Sequence, residues 1–189
     1  MIAIVNYDRK AAKKLSSFLS DRGIDNIATL DEAEISLSDK IILPHFHDLK
    51  STLKKLQLSN IFSLLKVVKK DILGINSGML LFCRFIKDAE LTGLGVFENA
   101  EVCMRNKLRF DSKLQVLKEC KLLKGCADEI FHFEFEYYIS DNVNAVAQVN
   151  FEDKNISAVA AKNNYYAALF SIEDSGSAGE KIIRNFITP

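Results

Sequence analysis

Apolar residues along the chain fall into short runs at two spacings. Ile2-Ala3-Ile4-Val5 is continuous and β-rich, as suits a parallel strand over 2–6 with both faces buried. Residues 9–22 place Ala12, Leu15, Phe18 and Leu19 three and four apart, the spacing of a helix with one apolar face. Gly23 follows where a helix end calls for positive φ. Further strands are predicted over 27–30 and over 40–43, the latter closed by Pro44. Residues 49–58 and 60–69 read as helices, 71–75 as a buried strand and 78–86 as an apolar helix. Such alternation implies a mostly parallel sheet with helices on both faces.

The pattern then changes. Residues 102–108 and 114–119 read as strands of a hairpin or meander. Over 130–139, Phe131, Phe133, Phe135 and Tyr137 alternate with His132, Glu134, Glu136 and Tyr138, as in a half-exposed strand. The second face, with Glu134 and Glu136, could line a polar pocket, but more often such a face is solvated or packs at an interface. Strands over 145–151, 156–161 and 165–170 and a helix over 178–186, its Ile182, Ile183 and Phe186 inward, complete an α/β fold with an antiparallel-rich second half. With two prolines, eight glycines and no linker or repeat, residues 1–189 are expected to form a single domain.

Charge narrows the function. Lys+Arg and Asp+Glu are 25 each, so no basic excess points to nucleic acid, and Lys66, Lys69 and Lys70 read as a solvated helix end. No apolar run is long enough to cross a bilayer, and the first residues lack the basic segment of a signal peptide. Cys83, Cys103, Cys120 and Cys126 have no metal or disulfide-scaffold spacing and read as reduced thiols of a cytoplasmic protein, Cys83 as a buried structural one.

The candidate chemistry lies in Asp71-Ile72-Leu73-Gly74-Ile75-Asn76-Ser77-Gly78-Met79, a strand running through a G-x-N-x-G turn into an apolar segment. Hydrolytic α/β enzymes carry their nucleophile at the middle of such an elbow. Here the middle residue is Asn76, and a carboxamide cannot attack as a thiolate does. Ser77, one place beyond, reads as a cap of the following helix rather than a nucleophile. His45-Phe46-His47-Asp48 reads as a loop, not a metal site, its histidines filling a pocket or facing solvent.

In these motifs the chain resembles the glutaminase subunit of imidazole glycerol phosphate synthase, a class I glutamine amidotransferase with a flavodoxin-like α/β fold. Met1-Ile2-Ala3-Ile4-Val5-Asn6-Tyr7 resembles the opening strand, Ile41-Ile42-Leu43-Pro44 the strand before the oxyanion loop, and Leu73-Gly74-Ile75-Asn76-Ser77-Gly78-Met79 the elbow, where the family has Cys. Gly93-Leu94-Gly95, Phe133-Glu134-Phe135-Glu136-Tyr137-Tyr138, Leu169-Phe170-Ser171-Ile172-Glu173 and the final helix follow in order.

The resemblance implies a Cys-His-Glu triad. Its positions hold Asn76, Ser171 and Glu173, so only the acid survives and no catalytic set is intact. The glycine-rich oxyanion loop is replaced by His45, Phe46 and His47, with Ser77 beyond the elbow. The family's His-Ser pair has become Phe135-Glu136, and the chain has no Trp. The expectation is a pseudoenzyme that needs no cofactor, related to histidine biosynthesis and forming a heterodimer with a (β/α)8-barrel synthase subunit. Two alternatives are a working amidotransferase or other hydrolase using the same cleft, and a free-standing binder of a small amide or amino acid.

Overall fold

The computed structural model describes residues 1–86, 91–102, 107–139, 143–152 and 154–188. Strand β1 (Ile2–Val5) is wholly buried and pairs in parallel with β2 (Asn26–Thr29) on one side and β3 (Lys40–Leu43) on the other. Between β1 and β2 runs α1 (Arg9–Ser20), capped by Asp8, whose carboxylate accepts the amides of Lys10 and Ala11. Its buried residues are Ala12, Leu15, Phe18 and Leu19, the face the spacing predicts, and Gly23 has φ 68°. A short helix absent from the sequence expectation, α2 (Glu32–Leu37), fills the link from β2 to β3. It buries only Ile35, too little apolar surface to register as a period. Helices α3 (Leu49–Leu58) and α4 (Ile61–Val67) lead to β4 (Ile72–Ile75), which pairs in parallel with β3.

The strand order β2-β1-β3-β4 reverses direction at β1. Right-handed crossovers therefore put α1 on one face of the sheet and α2 to α4 on the other. The reversal also opens a crevice at the carboxyl ends of β1 and β3, where open α/β sheets bind ligands.

The expected helix over 78–86 is not formed. Asn76–Phe82 is a 3-10 turn, and Cys83–Ile86 is strand β5. The carbonyls that would continue a helix are taken by a later segment: Leu94 N–H donates to Leu81 O, Val96 N–H to Phe82 O and Gly93 N–H to Cys83 O. A Cβ on Gly93 would stand 2.5 Å from the Leu81 and Cys83 oxygens, so only glycine permits this approach. The run 79–83 is buried on every side, and periodicity cannot separate strand from helix in such a run. Cys83 is fully buried, as expected, although on a strand.

The second half is antiparallel-rich. Strand β6 (Phe97–Val102) pairs with β5, and residues 103–106 of the expected strand over 102–108, with Cys103, lie outside the described residues. Among the described residues, 102–108 and 114–119 do not pair with each other. Instead β7 (Leu108–Lys113) pairs with β9 (Ile130–Phe135), and β8 (Gln115–Val116) pairs with β11 (Ala145–Phe151). A break at Glu136 separates β9 from β10 (Tyr137–Ile139). Strand β12 (Lys154–Lys162) joins β11, β10 and β13 (Tyr165–Ala168), and β13 lies parallel to β4. Helix α5 (Gly176–Ile187) buries Ile182, Ile183 and Phe186 and joins the turn after α1 through Arg22 Nε and Glu180 Oε2 at 3.1 Å. One continuous apolar cluster runs from Ile2 to Phe186. Among the described residues no helix is long and apolar enough to cross a membrane.

Candidate functional site

Four chain turns meet at the carboxyl ends of β1, β3, β4 and β13. The turn after β4 is the elbow. Asn76 at its apex has φ 51°, the left-handed region that Asn tolerates better than most side chains. It is buried, and its Nδ2 donates to the Glu134 carbonyl of β9 at 2.6 Å. A Cβ on Gly78 would stand 2.2 Å from the Leu43 oxygen, so glycine alone lets the elbow lie against the end of β3. The tight backbone turn is kept, but its apex carries a tethered carboxamide.

The loop after β3 is fastened at every residue. Tyr7 Oη donates to the Pro44 carbonyl at 2.6 Å, and the buried Phe46 ring meets Tyr7 edge-on at 5.9 Å. Phe46 N–H donates to Ser77 Oγ at 2.7 Å, and the same oxygen is 2.8 Å from both Phe46 O and His45 Nδ1. The expected helix-cap role of Ser77 is therefore incorrect: its side chain makes no cap bond, because the loop folds back onto it. His47 offers its backbone N–H and Nδ1 to Asp8 at 3.3 and 2.8 Å, and Asp48 caps α3 at Ser51 N–H. The two histidines are committed to different partners. The Phe46 amide is likewise engaged, so it is not free to hold an oxyanion.

Burial, with smaller electrostatic contributions from His47 and Lys107, lowers the His45 pKa to about 4, so the ring is neutral at pH 7. Burial opposes the charge on Asp8, yet the hydrogen bonds from His47 and the Ala11 amide outweigh it and lower the pKa.

After β13, Ser171 N–H donates to the His132 carbonyl at 2.9 Å. Its Oγ donates to Asp174 Oδ2 at 2.7 Å and lies 3.4 Å from Glu173 Oε2. Asp174 pairs with Lys14 at 2.7 Å. The half-buried Glu173 carboxyl has its pKa raised by burial, against the opposing pull of its own backbone N–H and Lys14. It orients no imidazole here.

These parts enclose a cleft of about 280 Å³ whose lining includes Asn76, Ser171, Glu173 and His45, so the fold brings the three triad-like positions of the sequence expectation together. A smaller cavity of about 140 Å³ adjoins it, sharing His45, His47, Asn76 and Lys107 and adding Phe46 and Ser77. The loop has thus not filled the space: Phe46 turns into the core and His45 forms a wall.

Sequence reasoning missed the cations of the cleft. Lys14 finds its acid 160 positions away, which no local pattern reveals. Glu134 receives Arg109 at 2.8 Å and Lys107 at 2.7 Å, and these contacts hold its pKa down to about 2. The alternation over 130–139 favours a solvated or interface-packed face, with a pocket wall as the lesser alternative, whereas Glu134 lines the larger cleft and Glu136 the smaller.

No family model matches the sequence. Individual relatives do. The chain is 31% identical to imidazole glycerol phosphate synthase subunit HisH 2 of Methanococcus maripaludis, covering 99% of this chain and 98% of the relative. It is 29% identical to subunit HisH of Bacteroides fragilis, covering 98% of each. Among solved structures, a glutamine amidotransferase superposes with a TM-score of 0.76 at 15% identity, over 98% of this chain and 96% of that one. PurLQS from Thermotoga maritima gives 0.68 at 16%, over 98% and 96%. The fold is the class I glutamine amidotransferase α/β fold.

Proposed function

The chain belongs to the family of imidazole glycerol phosphate synthase subunit HisH, and from that premise we propose that it is a member that does not hydrolyse glutamine and serves as a binding or regulatory subunit of a (β/α)8-barrel synthase partner. One observation supports this most: the elbow keeps its left-handed apex while the apex group is Asn76, bonded to the Glu134 carbonyl. Glutamine hydrolysis needs an atom that attacks the side-chain carbonyl and a base that takes the proton. A carboxamide nitrogen is not nucleophilic, and the hydroxyl of Ser171 is held by Asp174. Removing nucleophile and base together leaves only the residual rate of binding and oxyanion contacts. Those contacts are also weakened, since the Phe46 amide is spent on Ser77.

The surviving parts are those that shape the domain rather than those that cut an amide. Tandem purification of the chain from its native cell, with mass spectrometry of its companions, tests the partner role. Stoichiometric recovery of a barrel-type synthase subunit is expected. Recovery of the chain alone at near-native concentration would remove the proposal.

A further inference from the structure

We propose that Ser77 and His45 form a nucleophile–base pair that cleaves small activated esters, an activity separate from glutamine chemistry and independent of a barrel partner. Ser77 Oγ lies 2.8 Å from His45 Nδ1, within the reach a base needs to take the hydroxyl proton. Phe46 N–H donates to the same oxygen at 2.7 Å, which stabilises the alkoxide character that develops as the proton leaves. The hydroxyl has one proton and two acceptors, His45 Nδ1 and the Phe46 carbonyl, both at 2.8 Å. Turning the O–H bond between them reaches the reactive state without moving a heavy atom.

Neutral His45 can accept a proton at pH 7. Among the described residues, the charged and titratable groups that face it include His47 and Asp8 on the loops after β3 and β1, Glu134 on β9, Lys107, and Glu136 and Tyr137 across the same cavity.

The reacting space is the cavity of about 140 Å³ that Ser77 and His45 both line. Leu80 and Phe135 make part of its wall apolar, and its size suits a short acyl group such as acetyl rather than a long chain. Lys107 and the Asn76 carboxamide border the same space; each is bonded to Glu134 and keeps a further N–H that can donate to an oxyanion. In the first half-reaction the Ser77 oxygen bonds to the ester carbonyl carbon as its proton passes to His45. The bond to the leaving oxygen then breaks, and that oxygen takes the proton from His45. In the second, water attacks the acyl-serine carbon and gives a proton to His45. Ser77 regains the proton and the carboxylic acid leaves.

Hydrolysis of p-nitrophenyl acetate by the full chain, with diisopropyl fluorophosphate labelling mapped by mass spectrometry, tests the assignment. The expected result is labelling at Ser77. Turnover should fall to the buffer rate in Ser77→Ala and by about a hundredfold in His45→Gln, the scale of losing a general base. The rate should fall on acidification with an apparent pKa near 4, as His45 takes a proton. Labelling needs no variant, so a loosened loop in Ser77→Ala does not obscure it. Absence of label from Ser77, or turnover unchanged in His45→Gln, would overturn the pair. Either result leaves the glutamine reading untouched, because that depends on Asn76 and Ser171.

Discussion

Asn76 does two jobs that pull on the same backbone bond. Its φ of 51° strains most side chains, and its Nδ2 ties the elbow to β9 at 2.6 Å. Alanine there would keep the strained dihedral and lose the tether. We expect Asn76→Ala to cost about 1–3 kcal/mol of unfolding free energy, and Asn76→Gly less, since glycine relieves the strain. Urea denaturation of the two variants checks the order. His45 gives a second residue-scale expectation. Its ordinary pKa is 6.5 and burial lowers it to about 4 in the fold. Between those values the unfolded chain binds the extra proton, so stability falls as pH drops from 6.5 toward 4 and loses nothing further below. Melting temperatures across that window should fall less steeply in His45→Gln; equal slopes would contradict the burial. At this scale the sequence was informative about identity and silent about contact. Asn76, Ser171 and Glu173 were legible as a set, whereas the Ser77–His45 hydrogen bond spans 32 positions and depends on how the loop turns.

The elements that place the site were mostly legible, and the failures have physical causes. The boundaries of α3 agree with the apolar spacing, and α1 buries the expected face, because a single buried stripe leaves a clear period. The segment after the elbow was misread because its apolar run carries no stripe. Its end is set by the amides of Gly93, Leu94 and Val96, which bond to the carbonyls of Cys83, Leu81 and Phe82. Crowding against the end of β3 makes Gly78 sensitive. Gly78→Ala would drive a methyl to within 2.2 Å of the Leu43 oxygen, forcing the elbow off β3. A loss of about 1–3 kcal/mol is expected from such overpacking. Equal denaturation midpoints for variant and parent would show that the elbow has more room than its geometry indicates.

Across the whole molecule, the strand order reverses where the crevice opens, and the chain still gathers its loops there. The cleft of about 280 Å³ is balanced in charge, with Lys14 on Asp174 and Lys107 on Glu134. Net neutrality over the chain was readable from composition, but this local pairing of distant residues was not. On the proposed reading, with Asn76 and Ser171 standing where a nucleophile and a base would act, the glutamine cleft is expected to contribute through what it holds in place. The most direct measurement is release of ammonia and glutamate from isotopically labelled glutamine by the purified chain, with and without a barrel partner. No release above the uncatalysed rate is expected in either case. Sustained release that disappears on Asn76→Ala or Ser171→Ala would contradict the account.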